Sequence, residues 1–120
     1  MRIINLTGKS TTCEQLEVGV FAPEDEDVDK IKELLDFKEY PTENDIEKRA
    51  KALVDIANKY EVLYAMIDGP SFFVSSLEKA LKNDNIQPLY SFGKMITEEV
   101  EYPDGVINNT RYKHEAFIMV

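Results

Sequence analysis

The chain is poor in the residues that build disulfides and metal centres. Among its 120 residues there is one cysteine, Cys13, and one histidine, His114. A single cysteine excludes an internal disulfide, and one cysteine with one histidine argues against a structural zinc site, which takes four such ligands. We therefore expect neither a bound metal nor a cofactor.

Long apolar runs and a basic surface are also missing. No stretch approaches the roughly 20 apolar residues of a membrane span, and the strand-like N-terminus lacks the basic and apolar segments of a signal peptide. The formal net charge of −9 argues against binding duplex DNA or RNA, which requires a basic face. We expect one cytoplasmic domain over residues 1–120, with neither a membrane nor duplex nucleic acid as partner.

Most of the negative charge lies in one segment. Residues 24–47 hold 11 acidic side chains and three lysines, so this segment carries nearly all of the net charge. Such a run is typical of a solvated helical flank, and it leaves the first loop of the chain free to meet an anion. An alternative is an interaction module that docks a basic partner through the same flank.

Strand and helix patterns alternate along the chain. Apolar, β-branched runs predict three strands, at Arg2–Leu6, Glu61–Ile67 and Ile86–Phe92. After them, a turn at Pro103–Gly105 predicts a hairpin with the strands Met95–Tyr102 and Val106–Val120. Strands that alternate with helices favour right-handed crossovers and a parallel sheet. The prediction is a small Rossmann-like, three-layer α/β domain with a mainly parallel sheet and a C-terminal antiparallel hairpin.

Helix boundaries follow from capping signals. Thr11 or Thr12 is suited to cap the first helix, with Glu14 and Gln15 placed to close a capping box. Pro23 and Pro70 are each predicted in the first turn of a later helix, where the missing N–H costs nothing.

The first strand runs into a Gly8-Lys9-Ser10-Thr11 loop and then a helix start. This order can form an anion pocket from backbone N–H groups. It is not a P-loop, because that motif needs a glycine five residues before Gly8, where this chain has Ile3.

Three polar segments follow the three predicted strands. In open α/β sheets, ligands bind beyond the carboxyl ends of the strands. Glycines let a ligand approach the backbone, hydroxyls donate to phosphate oxygens, and lysines neutralise charge. The predicted ligand-binding residues are Thr7, Gly8, Lys9, Ser10, Thr11, Asp68, Gly69, Ser71, Phe72, Ser91 and Lys94. We predict a phosphate-bearing ligand here; polar loops with no ligand are the alternative.

Two residues have a second interpretation. Asp68 at a strand end suits a base or a contact to a sugar hydroxyl, but it also suits a loop cap. His114, on the last predicted strand, suits proton transfer, although a lone strand histidine is often structural.

Several short motifs follow one another along the chain: Asn5-Leu6-Thr7 with Thr12 and Glu14-Gln15, Pro88-Leu89-Tyr90 followed by Lys94, and the Asp104-Gly105 hairpin ending in Tyr112, His114 and Phe117. In this order they resemble a known family, the small CRISPR-associated Csx-type proteins of type III systems. These proteins are CARF-like, and some are ring nucleases that bind and linearise cyclic oligoadenylates. One departure is Lys9, where such proteins often carry a histidine.

The resemblance implies a homodimer that clasps a cyclic oligonucleotide between two copies of the strand-end site, with metal-free cleavage by the ligand's own 2′-hydroxyl. The implied roles are phosphate binding by Lys9, Ser10, Thr11 and Lys94, ribose or base contact by Ser71 and Phe72, and catalysis by His114 and Lys9. A non-enzymatic binder of the same ligand remains an alternative. So does a small metabolic enzyme that acts on a phosphorylated substrate.

Overall fold

The computed structural model describes residues 1–120 and shows a mixed α/β fold of five strands and four helices. In chain order these are β1 (Ile3–Asn5), α1 (Cys13–Glu17), β2 (Val20–Phe21), α2 (Asp25–Leu35), α3 (Glu43–Lys59), β3 (Tyr64–Met66), α4 (Ser71–Asn83), β4 (Gln87–Tyr102) and β5 (Gly105–Met119). None of the helices is both long and apolar enough to cross a membrane.

The five strands form one sheet in the order β2-β1-β3-β4-β5. β1 is parallel to β2 and β3, β3 is parallel to β4, and β4 is antiparallel to β5. The predicted sheet, mainly parallel with a C-terminal antiparallel hairpin, is confirmed. The chain leaves β1 toward one edge and returns on the other side of β1 to form β3. A sheet whose strand order reverses in this way leaves a crevice at the carboxyl ends of the two central strands.

Successive side chains of each strand point to opposite faces of the sheet, and both faces carry buried residues. On one face, Ile4 and Ile67 pack with Leu53 and Phe73 in a cluster of 15 buried residues that includes α2, α3 and α4. On the other face a cluster of four, including Met66, packs against Phe117 of β5. The main core therefore holds the carboxyl ends of β1 and β3 rigidly beneath the crevice.

The helix starts are set by side-chain caps and by proline. Thr12 caps α1 and Gln15 closes the capping box, as predicted. The placement of the two prolines in first helical turns was wrong, because Pro23 precedes the N-cap Glu24 and Pro70 is itself the N-cap of α4. A fixed φ and a missing N–H suit these flanking positions as well as the first turn.

One strand was not predicted, and the end of another was predicted wrongly. β2 was not predicted, since two residues are too short to show a period. β4 does not end at Gly93 but continues to Tyr102, because its pairing with β5 resumes after a register shift at Phe92/Gly93. Residues 91–94 are therefore part of a bulged strand and not a strand-end loop.

The outer half of the hairpin, residues 95–112 (the arm), projects from the sheet. None of its residues is buried. The radius of gyration is 16.3 Å, above the roughly 14 Å of a compact domain of this length. Only the base of the arm reaches the helical part of the protein, through Arg111 and α1.

Candidate functional site

A cavity of about 440 Å³ lies in the crevice at the carboxyl ends of β1 and β3, beside β4. We call this cavity the strand-end pocket. Its walls combine hydroxyls, one lysine, one carboxylate and two tyrosines. The lining residues are Thr7, Lys9, Ser10, Thr12, Gln15, Met66, Ile67, Asp68, Tyr90, Ser91 and Tyr112.

The side chain of Asn5 builds the first wall of the strand-end pocket. Asn5 is buried at the end of β1 and forms four hydrogen bonds. Its Oδ1 accepts from the Thr7 N–H at 2.9 Å and the Thr7 hydroxyl at 2.6 Å. Its Nδ2 donates to the Lys9 carbonyl oxygen and to Thr11 Oγ1, both at 2.9 Å. Gly8, with φ of +73°, turns the chain in the left-handed region inside this loop.

The loop that Asn5 organises presents free backbone donors. The N–H groups of Gly8, Ser10 and Thr11 form no hydrogen bond within the chain. Unpaired N–H groups in a turn before a helix can donate to an anion. The loop therefore contains three unpaired donors, of which one, the Ser10 N–H, belongs to a residue that lines the pocket.

Lys9 and Asp68 form an ion pair across the mouth of the pocket. Lys9 Nζ lies 2.7 Å from Asp68 Oδ2, while Asp68 Oδ1 accepts the Gly69 N–H. The side chains are 75% and 50% exposed, so the pair is weakly held and an anionic ligand can compete for the lysine. The pair joins the loop after β1 to the loop after β3.

The wall formed by the hairpin contains a hydrogen-bonded cluster centred on Ser91. Ser91 Oγ lies 2.6 Å from His114 Nδ1 and 2.9 Å from Tyr112 Oη, and Gln15 Nε2 donates to it at 3.3 Å. His114 is buried behind Ser91, with its ring centroid 4.5 Å from that of Phe117. Burial lowers the pKa of His114, and the Glu14 carboxylate opposes this only in part. The imidazole is therefore neutral at physiological pH and can accept a hydrogen bond.

Tyr90 and Arg111 fix the walls of the pocket from behind. The Tyr90 hydroxyl donates to Glu78 Oε2 at 2.6 Å, and burial together with this carboxylate raises the pKa of Tyr90, which keeps it neutral. Arg111 donates to both oxygens of Glu14, at 3.1 and 3.0 Å, and to Glu98 at 3.2 Å. The hydrogen bond from Arg111 lowers the pKa of Glu14. These contacts lock α1 to the base of the arm.

A larger cleft of about 720 Å³ lies between the end of α2 and the start of α3. Its one arginine, Arg49, already donates to the carbonyl oxygens of Glu33, Leu34 and Asp36 and lies over the Phe37 ring at 4.3 Å. Because this cation closes the C-terminal end of α2, we assign the cleft a structural role.

The structure brings five of the eleven predicted ligand-binding residues to the strand-end pocket. Thr7, Lys9, Ser10, Asp68 and Ser91 line it, and Gly8 and Thr11 belong to the same loop as its first wall. The other four predicted residues belong neither to the lining nor to that loop.

Gly69 and Ser71 follow Asp68 at the start of α4 without lining the pocket. The Phe72 ring stacks edge-on against Phe37 at 5.0 Å, away from it. Lys94 also lies outside the pocket and pairs with Glu115 at 3.4 Å, because the continuation of β4 places it beside β5. The structure does not join Lys94 to Lys9.

Seven residues of the site were not predicted as site residues: Asn5 of the first wall and the lining residues Thr12, Gln15, Met66, Ile67, Tyr90 and Tyr112. Asn5 could have been found from the sequence, because an amide at the end of an apolar strand is a buried polar group that needs hydrogen-bond partners. The contact between Gln15 and Ser91 joins residues 76 apart in the chain. Nothing in a single sequence indicates such a pairing.

Comparison with protein families gives one result. A family model described as "Uncharacterized protein MJ1673 family" matches residues 1–118. No curated protein and no solved structure matches the chain. Since the family model spans nearly the whole sequence, including every residue of the strand-end pocket, the chain belongs to the MJ1673 family.

Proposed function

We propose that this protein binds a cyclic oligoadenylate, or a closely related phosphate-bearing ligand, in the strand-end pocket. We further propose that its fold is a Rossmann-like, CARF-like one. The strand order β2-β1-β3-β4 supports the second point, because it is the order of a common doubly wound fold whose ligands bind where the order reverses. The pocket lies at that position.

The observation that carries the proposal is the convergence of separate segments on one pocket, in which the loop after β1 supplies the anion-binding groups. Lys9 and Ser10 come from the loop after β1, Asp68 from the loop after β3, and Ser91 from β4. Free N–H groups and one exposed lysine suit a phosphate. The net charge of the protein does not oppose this, since a small ligand needs only a local basic group.

The size of the pocket favours a ligand shared between two copies. Its volume of about 440 Å³ lies in the lower part of the 300–1,000 Å³ range of small-molecule sites. A ring of several nucleotides exceeds it, whereas part of a ring fits. A ring with internal symmetry presents the same face to each copy of a twofold dimer, so a homodimer is part of the proposal.

In this arrangement Lys9 exchanges its Asp68 partner for a phosphate. The N–H groups of Ser10 and Thr11 donate to the same phosphate. Asp68, already fixed by the Gly69 N–H, becomes free to accept a ribose hydroxyl. Ser71 and Phe72 follow Asp68 closely in the chain, at the start of α4. In this proposal they contact a part of the ring that extends beyond the pocket, and they do not contact the phosphate.

A thermal-shift screen tests this proposal. Cyclic di-, tri-, tetra- and hexa-adenylate are each mixed with the protein, and the mixtures are then chromatographed for linear products. We expect at least one ring to raise the melting temperature by several degrees. A linear product indicates a ring nuclease, and retention of the intact ring indicates a binder.

Lys9→Ala is the matching variant, with Lys51→Ala as its control. Lys51 is exposed on α3 and forms no ion pair. We expect the Lys9 change to weaken binding about tenfold, or ~1.4 kcal/mol, and the Lys51 change to leave it unaltered. If no ring shifts the melting temperature, the proposal is wrong. Salt-sensitive binding of a basic protein would then favour an interaction module.

A further inference from the structure

We propose that Tyr112, Ser91 and His114 form a proton relay that opens into the strand-end pocket at Tyr112 and ends at the buried imidazole of His114. The relay takes a proton from a hydroxyl of the bound ligand. This inference rests on the proposed function and extends it by assigning the groups that make the pocket catalytic. Tyr112 is the catalytic residue, and Ser91 and His114 are positioning residues that act through it.

The hydrogen-bond capacity of Ser91 sets the direction of the relay. A serine hydroxyl has one proton to donate and two lone pairs that accept. Its three neighbours are His114 Nδ1, Tyr112 Oη and Gln15 Nε2. The amide of Gln15 can only donate, so Ser91 is left with one lone pair and one proton for the other two. If Ser91 donates to His114, Tyr112 donates to Ser91.

Tyr112 is then the member that meets the ligand. Ser91 has no lone pair left for a ligand, although it lines the pocket. The Tyr112 oxygen retains a lone pair, and Tyr112 also lines the pocket. A ligand hydroxyl can therefore donate to Tyr112 Oη while the hydrogen bonds of the relay stay in place.

The local backbone is built for this contact. The register shift between Phe92 and Gly93 sets His114 opposite Gly93, next to Ser91. Bulges often re-aim side chains beside functional sites. A Cβ on Gly93 would lie 2.7 Å from the Tyr112 ring and hydroxyl, and closer still to the Lys113 carbonyl oxygen. Gly93 therefore makes room for Tyr112, although its φ is not positive.

The surroundings of His114 suit a base. The ring packs on Phe117, and the Glu14 carboxylate of α1 is the charged group that opposes the effect of burial on the pKa of His114. The other titratable neighbour is Tyr112, through Ser91. Burial lowers the pKa of His114, so the base is unprotonated at neutral pH.

The chemical step balances without another reactant. The ribose 2′-oxygen attacks the adjacent phosphorus as its proton passes to Tyr112 Oη, the proton of Tyr112 passes to Ser91, and that of Ser91 passes to His114 Nδ1. A P–O2′ bond forms and the P–O5′ bond breaks. The leaving 5′-oxygen takes a proton from water, and the imidazolium later returns its proton to water. The product is linear, with a 2′,3′-cyclic phosphate and a 5′-hydroxyl.

The first test needs no ligand. His114 is the only histidine in the chain, so a long-range ¹H–¹⁵N spectrum of the labelled protein reports one imidazole. The relay requires Nδ1 to be unprotonated and to accept a hydrogen bond at neutral pH. A proton on Nδ1 reverses the two hydrogen bonds that join His114 to Ser91 and Ser91 to Tyr112, and it would overturn the inference.

The second test separates binding from cleavage. Tyr112→Phe, Ser91→Ala and His114→Asn are compared with the wild type on cyclic tetra- and hexa-adenylate, with Tyr102→Phe on the exposed arm as the control. We expect each relay variant to bind within about threefold of wild type and to lose cleavage by at least about 100-fold, the usual range of a general base. Tyr102→Phe should change neither. The wild-type cleavage rate should fall at low pH. The midpoint of this fall should coincide with the midpoint of the His114 titration measured by NMR.

Each outcome has a distinct meaning. A wild type that binds a ring without cleaving it overturns the relay and leaves the proposed function standing. A wild type that binds no ring removes both. Cleavage that survives Tyr112→Phe, a change that keeps the ring and removes only the hydroxyl, also overturns the relay.

Discussion

Asn5 is the residue on which the first wall of the pocket depends most. Asn5→Ala removes four hydrogen bonds, two of which satisfy backbone groups of Thr7 and Lys9. Each bond is worth ~0.5–1.5 kcal/mol net. Because Lys9 and Thr11 belong to an exposed loop, water replaces part of what is lost. We therefore expect the free energy of unfolding to fall by about 2–3 kcal/mol.

Urea denaturation measures this directly. With a slope of ~1–3 kcal/mol/M for a small domain, the midpoint should fall by roughly 0.7–3 M while the slope is unchanged. Asn108→Ala is the matched control, since Asn108 is exposed on the arm and its side chain makes no hydrogen bond. If the midpoints of the two variants agree within error, Asn5 does not organise the loop and the assignment of the first wall to its hydrogen bonds is wrong.

Three further changes test other parts of the structure. Asp27→Asn should lower the free energy of unfolding at neutral pH and weaken its decline in acid. The reason is that the hydrogen bonds from Lys59 and Tyr60 lower the pKa of Asp27 in the folded state. The stability that the Asp27 carboxylate contributes is complete above the unfolded pKa of ~3.9 and is lost below it. The pKa of His114 is also lowered in the folded state, so the unfolded state gains a proton first as the pH drops below ~6.5. The free energy of unfolding of the wild type should therefore fall in this range, and His114→Asn should remove this fall in acid titrations. Gly93→Ala should cost ~1–3 kcal/mol in urea denaturation, since the Lys113 carbonyl cannot move aside, and full stability would contradict the close packing of Tyr112.

Much of the fold could be predicted because its signals are local. The cap at Thr12, the helical periods and the turn before Gly105 each depend on residues a few positions apart. β2 gave no signal because two residues show no period, and it is held by its pairing with β1. The continuation of β4 past Gly93 depends on β5, and a glycine followed by a lysine resembles the end of a strand in sequence.

The candidate site could be predicted only in its loops. Parallel strands end at one edge of a sheet, and that rule alone is enough to bring the segments around Lys9 and Asp68 together. The relay around Ser91 escaped prediction because it needs the register of the hairpin. Ser91 and Tyr112 are 21 residues apart, and a bulge sets His114 beside them. Lys94 illustrates the reverse case, since its predicted role assumed that β4 ended before it.

Isothermal titration of a cyclic oligoadenylate into the protein tests the central claim most directly. The ring that gives the largest thermal shift is titrated into the wild type and into Lys9→Ala. We predict saturable binding with one ring for every two chains, and weaker binding in the variant. The proposed function would be contradicted if no heat of binding were measured at several temperatures and if the ring left the NMR signals of the strand-end pocket unchanged.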